Sequence, residues 1–200
     1  MEHSRAIEHL SRDERLGQVI ATVGLPPLTA DGDLYRGLLR AIVYQQLSGK
    51  AAGTIFGRFL GLFPDGYPHA QQLATMEPET LRAVGLSRQK LSYLQNVANF
   101  FLDGQIEAEK WSQWDDEAAI QHLTQIKGVG RWTVQMLLLF NLGRPDIFAP
   151  DDLGIQQAMI RLYDIRESGR ALRQRMAAIA EPWRPYRSYA CRYLWRWNAP

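Results

Sequence analysis

Two short stretches of this chain carry residue types that could do chemistry together: Lys127-Gly128-Val129-Gly130-Arg131-Trp132-Thr133 and Pro150-Asp151-Asp152-Leu153-Gly154. In the first, two glycines one residue apart let a tight turn present its amide N–H groups at the start of a helix. The positive end of the helix dipole there favours an anion such as phosphate. Lys127, Arg131 and Thr133 add two cations and a hydroxyl to the same turn. A phosphate held in this way registers a nucleic acid without reading its sequence. The same G-x-G pattern also makes ordinary turns. The second stretch places two carboxylates at a helix start. A carboxylate can stabilise positive charge that develops on a reacting group and can orient an attacking water. It can equally well cap the helix Leu153 to Leu162 and do nothing else.

The elements that must position these residues read as helices. Leu34, Leu38, Ala41 and Ile42 recur at helical spacing, as do Leu91, Leu94, Val97 and Ala98, and Leu172, Met176 and Ile179. An apolar run from Trp132 to Leu142 follows the first motif, and Gly143-Arg144-Pro145-Asp146 breaks the chain before the second. Other breaks fall at Gly24 to Ala30, Phe63 to Pro68, Gly85 to Ser87, Gly104 and Glu181 to Pro185. Val84-Gly85-Leu86-Ser87-Arg88 looks like a degenerate copy of the glycine hairpin. Strand-like alternation is scarce, so the expectation is an all-α fold of short helices.

At 200 residues and 46% hydrophobic, the chain can bury a sizeable core as one domain or two small lobes. The single cysteine, Cys191, excludes an intramolecular disulfide and a four-cysteine iron-sulfur cluster. The N-terminus has no signal-peptide apolar core and no run reaches the ~18 apolar residues of a membrane span, so no membrane partner is expected. The net charge of +2 is too mild to imply a nucleic acid, but its distribution is uneven. Residues 161–200 hold nine arginines against Asp164, Glu167 and Glu181, together with seven aromatics, Tyr163, Trp183, Tyr186, Tyr189, Tyr193, Trp195 and Trp197. Such a mixture suits phosphate contact and base stacking. It also suits a helix with rings in the core and solvated arginines.

In order, hairpin, helix, loop and acid resemble the helix-hairpin-helix DNA glycosylase superfamily, and more closely its 3-methyladenine DNA glycosylase II family. Three ordered segments carry the resemblance: Gly128 to Thr133, Pro150 to Asp152, and Trp183-Arg184-Pro185-Tyr186-Arg187-Ser188-Tyr189-Ala190. Arg40-Ala41-Ile42, Gln45-Gln46-Leu47-Ser48 and Ala51-Ala52 also fit the family's second helix. The resemblance runs from about residue 30 to the end and implies one glycosylase domain over 1–200. That domain would have two helical lobes, an active-site cleft between them and the hairpin near 124–133. The N-terminal mixed α/β domain of longer members is not expected in these 200 residues.

The same resemblance implies a mechanism. A base cannot be cut from its sugar inside the stack, so the nucleotide is flipped into a pocket. Asp152, the second acid of P-D-D, is expected to stabilise the oxocarbenium-like sugar, with Asp151 the competitor. Alkylated purines are cationic and leave readily, and aromatic faces attract them by cation–π interaction worth ~0.5–2 kcal/mol. The family places rings at Trp132 and Tyr186; Trp183 could also close the pocket, and Met136 stands where a related member has an aromatic. Lys127, Gly128, Val129, Gly130, Arg131 and Thr133 are the DNA-binding candidates. The wedge that fills the vacated stack falls to Gln46 or, next, Gln45. Bifunctional relatives carry a Schiff-base lysine where this chain has Trp132, so a monofunctional hydrolase is expected. No cofactor is expected beyond a monovalent cation at the hairpin backbone. The expected partner is double-stranded DNA with damaged bases, bound by a monomer in the cytoplasm at a bacterial nucleoid, or in a eukaryotic nucleus. Two rivals stand beside this reading. A non-catalytic helix-hairpin-helix module would use the hairpin while Asp152 only caps, and a protein-binding α-domain would explain the aromatic tail as core.

Overall fold

The computed structural model describes residues 2–25, 28, 30–47, 49–104 and 113–199. Among these residues all regular structure is helical, with no strand. The chain divides into two compact units. One is continuous, residues 31–142, and the other joins 1–30 to 143–200. Among the described residues no helix is long and apolar enough to cross a membrane.

The continuous unit is built on α3 (Leu34–Tyr44), whose Leu38, Leu39, Ile42 and Val43 are completely buried. It packs against α4 (Gly49–Leu60), α7 (Arg88–Leu102) and α9 (Arg131–Phe140). Two short helices, α5 (Ala70–Thr75) and α6 (Pro78–Ala83), lie against α7, and α8 (Asp116–Leu123) lies against α9. The starts of α3, α7 and α8 are set by Asp33, Ser87 and Asp115, whose side chains accept from amides of the first turn. Gly85 and Gly128 both adopt φ +101, so the turn before α7 does copy the hairpin before α9. The copy is closed. Ser87 caps its own helix through the Lys90 amide, whereas Gly130 starts α9 with no side chain at all.

In the discontinuous unit, α1 (Glu2–Leu10) and α2 (Glu14–Thr22) pack on the C-terminal helix α12 (Arg187–Asn198), which also pairs with α10 (Leu153–Tyr163). Helix α11 (Gly169–Ala180) buries Leu172, Met176 and Ala180 and runs into a 3-10 turn at Glu181–Trp183. Asp13 organises the interior. Its Oδ1 caps α2 through the amides of Arg15 and Leu16, and its Oδ2 accepts from the Tyr163 hydroxyl (2.8 Å) and the Trp183 indole (3.0 Å). Burial and this carboxylate push the Tyr163 phenol far above its ordinary range. Trp183, expected at the base pocket, is therefore a core residue with 1% of its surface exposed. A ring buried on all sides has no face to offer a ligand.

Candidate functional site

The hairpin presents open backbone in the continuous unit. After α8 the chain turns through Gln125, Ile126 and Lys127, and the Val129 amide closes the turn on the Ile126 carbonyl at 2.9 Å. Gly128 is required by the fold for two reasons. Its φ of +101 disfavours any L side chain, and a Cβ there would collide with the Tyr93 ring. Gly130 is required by neither: its φ is −95, and a Cβ would meet nothing within 4 Å. What its missing side chain leaves open is the approach to the first turn of α9 from outside, the place where the dipole attracts an anion.

Of the other DNA-binding candidates, Lys127 is exposed, while Val129 is buried and can contribute only its backbone. Arg131 forms a bidentate pair with Glu117 (2.9 and 2.7 Å), which draws the Glu117 carboxyl below its usual range. Thr133 is 2% exposed, and its hydroxyl accepts from the Gln45 side chain at 3.1 Å, so that hydroxyl faces the interior rather than a phosphate. Trp132 and Met136 stand one turn apart on α9 and are both half-buried, which leaves a partly open apolar stripe on that helix.

The two wedge candidates separate clearly. Gln45 ends α3 half-buried, and its amide donates to the Gly128 carbonyl (3.3 Å) as well as to Thr133. Gln46 is exposed and adopts φ +56, a left-handed conformation that costs a non-glycine residue roughly 1–2 kcal/mol. Ser48 of the same segment lies outside the described residues. Lys90, not anticipated from the sequence, donates its ammonium to the carbonyls of Val43 (2.7 Å) and Gln45 (2.9 Å). A groove of about 490 Å³ runs between these groups, lined by Gln45, Gln46, Lys90, Tyr93, Lys127 and Gly130 among others.

In the discontinuous unit, Asp152 is the N-cap of α10. Its Oδ1 accepts from the Ile155 amide (2.9 Å) and from the indole N–H of Trp195 (2.7 Å). Trp195 is half-buried and is the ring that sequence reasoning missed. Gly154 makes room for it, since a Cβ at that position would lie 3.0 Å from Trp195 Cδ1 and 3.2 Å from Asp152 Oδ1. Asp151 is exposed and pairs with Arg173 at 3.4 Å. The turn bearing both acids is closed by the Asp152 amide on the Ala149 carbonyl and by the Gln156 side chain on the Pro150 carbonyl. Tyr186 is half-buried with its ring edge-on to His9 and Tyr189.

The arginine-rich tail is mostly occupied with its own unit. Arg184 and Arg187 both pair with Asp146 at 2.8 Å, and the Arg187 fork also reaches the Asp146 carbonyl. The Ser188 hydroxyl donates to the Arg144 carbonyl (2.6 Å) and accepts from the Ile147 amide (2.8 Å). Arg161 lies 3.6 Å above the Trp197 ring, and Arg192 caps Tyr189 at 6.0 Å. The Arg-Ser of the C-terminal motif thus clamps the loop that leads into Asp151 and Asp152. For Arg184, Arg187, Arg161, Arg192 and Ser188 the structure shows internal contacts, the second of the two readings the sequence allows. Arg187 and Asp146, at 16% and 18% side-chain exposure, are the half-buried pair among these and satisfy one another within the same unit.

Among the described residues no cluster of His, Cys, Asp and Glu is arranged to hold a metal. At the hairpin, the Lys127 and Gly128 carbonyls already accept from the amides of Asn96 (3.1 Å) and Gln45.

Residues 39–185 match the HhH-GPD superfamily of base excision DNA repair proteins. DNA-3-methyladenine glycosylase 1 of Schizosaccharomyces pombe is 38% identical over 167 residues, which is 81% of this chain and 71% of that protein. The solved structure of an S. pombe 3-methyladenine DNA glycosylase with abasic DNA superposes with a TM-score of 0.85 at 35% identity, over 96% of this chain and 95% of that one. A DNA-3-methyladenine glycosidase from Bacillus halodurans gives 0.82 at 31% identity, over 97% and 89%. With its hairpin, its capped carboxylate and this likeness over nearly its whole length, the chain belongs to the HhH-GPD superfamily of base excision DNA repair proteins.

Proposed function

We propose that this protein is a monofunctional DNA glycosylase that flips alkylated purines of the 3-methyladenine and 7-methylguanine class out of duplex DNA and hydrolyses the bond to the sugar. The observation that carries the reading is Asp152, a carboxylate fixed by one backbone amide and one indole N–H at the start of α10. Relatives named as 3-methyladenine glycosylases, one of them solved on abasic DNA, support it.

In this mechanism the first turn of α9 and Lys127 hold the DNA backbone, with Gly130 letting a phosphate come close. Gln46 fills the stack vacated by the flipped nucleotide. The cationic base is attracted to aromatic faces; the candidate rings are Trp132, half-buried on α9 next to Met136, and Trp195, which holds Asp152, together with Tyr186. As the base leaves with its electron pair, the negative charge of Asp152 stabilises the cation that grows on the sugar and orients the water that adds to it. Trp195 keeps the carboxylate from turning away. No amine lies at position 132 to form a Schiff base, so the product is an abasic site in an intact strand. Should a monovalent cation bind the hairpin, backbone carbonyls of the turn between α8 and α9 would hold it. The protein acts on DNA as a monomer in this reading.

The test is base release from a set of duplexes, each with one defined lesion, followed by inspection of the strands before and after alkali. Release of methylated purines with alkali-dependent breakage is expected. Tight binding without release of any base would instead favour a DNA-binding module in which Asp152 only caps.

A further inference from the structure

We propose that Lys90 and Gln45 are positioning residues for the wedge, a role that rests on the functional reading above. A residue that enters a base stack must be held against the push of the stacked bases, and the frayed end of a helix does not provide that. Here the end of α3 is not left to fray. The Lys90 ammonium reaches from α7 to the Val43 and Gln45 carbonyls, two groups that α3 itself leaves unsatisfied, and supplies a cation at the negative end of the helix dipole. Gln45 ties the same point to the hairpin through the Gly128 carbonyl and the Thr133 hydroxyl. Between these two fixtures and the exposed Leu47, Gln46 is held at φ +56, which turns it out of the line of the helix.

Two consequences follow for function. Gly128 belongs to the phosphate anchor and Gln45 is bonded to it, so a phosphate seated at the hairpin fixes the register at which Gln46 meets the stack. Lys90, although a cation on the wall of the groove, is half-buried and bonded to protein carbonyls. It acts through Gln46 rather than on a phosphate.

The experiment compares Lys90→Met, Gln45→Met, Gln46→Ala and the double variant K90M/Q46A in single-turnover excision of one methylated purine, either paired normally or opposite a mismatch. An already unstacked base needs less help in flipping. Lys90→Met and Gln45→Met are expected to lose about tenfold or more on the paired lesion and to recover to within about threefold on the mismatched one, with K90M/Q46A no slower than Gln46→Ala alone. The salt dependence of binding to undamaged duplex should stay as in the wild type, because no phosphate contact is lost; a slope smaller by about one unit would make Lys90 a phosphate ligand and overturn the proposal. Equal losses on paired and mismatched lesions, or additive losses in the double variant, would overturn it as well. If Lys90→Met fails to fold, Gln45→Met carries the test, since it leaves the Lys90 cap in place. Fluorescence of 2-aminopurine beside the lesion reads flipping without excision. A wild-type protein that flips but releases no base therefore counts against the glycosylase reading, and variants that flip as well as the wild type count against the positioning role.

Discussion

The indole N–H of Trp195 donates to Asp152 Oδ1 at 2.7 Å, and the same oxygen accepts the Ile155 amide at 2.9 Å. One carboxylate oxygen therefore both caps a helix and is gripped by an aromatic ring from the C-terminal helix. Capping and catalysis are compatible roles for this residue, and in the folded chain the cap and Trp195 fix the carboxylate's place. Asp152→Asn separates them. Asn caps about as well as Asp, so the fold and DNA binding are expected to persist, while excision falls by roughly 10²-fold or more with the loss of charge. Excision at the wild-type rate would remove Asp152 from the chemistry. Asp151→Asn should be milder, because Asp151 is exposed and engaged with Arg173.

The two hairpin glycines should behave differently. Gly128→Ala meets both a left-handed φ and the Tyr93 ring, and is expected to lower the melting temperature by several degrees, as a loss of about 1–3 kcal/mol implies. Gly130→Ala has open space around it and should melt like the wild type. It should nevertheless bind every duplex more weakly, damaged or not, since the contact it obstructs is to backbone. Unchanged affinity in Gly130→Ala would reduce the hairpin to an ordinary turn.

How far the site could be read from sequence depended on whether its cause was local. The glycine hairpin, the α9 run and the cap at Asp152 are local, and each stands where spacing and propensity place it. Trp183 and Trp195 could not be told apart in this way: both are tryptophans in an arginine-rich tail, and what separates them is tertiary, Trp183 lying in the core against Asp13, Phe148 and Tyr163. A hint was available in Gly154, whose missing side chain marks the approach of something large. Gln45 and Gln46 are neighbours of one type, and what separates them, the positive φ of Gln46 and the bonds that tie Gln45 to Lys90 and the hairpin, involves groups distant in sequence rather than any property of glutamine.

Ser188 offers a test of the loop clamp. Its hydroxyl serves the Arg144 carbonyl and the Ile147 amide in a site only 4% exposed. Ser188→Ala leaves both without that partner and should cost about 1–3 kcal/mol of stability, read by denaturant or thermal unfolding. Excision by the fraction that remains folded should also slow, because the clamped loop leads directly into Asp151 and Asp152. Unfolding at the wild-type midpoint would show that the clamp contributes little.

Cys191 is completely buried, and burial pushes its thiol from 9.0 up to about 12. The folded protein should therefore resist thiol reagents at neutral pH and react only on unfolding, which would make labelling a clean report on this unit. The sign of the accompanying pH effect is fixed. Because the folded pKa is raised, the protonated thiol's contribution is fully present below about pH 9 and is lost progressively as pH rises toward about 12. Rapid labelling of the native protein at pH 7 would contradict the buried position.

Trp132 links substrate preference to reaction type. Its ring occupies the position where bifunctional relatives carry a lysine, so the same residue that could attract a cationic purine cannot form a Schiff base. Methylated DNA treated with the protein should lose 3-methyladenine or 7-methylguanine while its strands stay intact until alkali or heat cleaves the abasic sites, and borohydride should trap no covalent complex. Trp132→Ala should lower the rate for cationic bases by about tenfold, in keeping with a cation–π term of ~1–2 kcal/mol, and affect a neutral lesion less. Trapping with borohydride would end the monofunctional assignment. A wild-type preference for uracil over methylpurines would show that the rings select their base by shape rather than by charge.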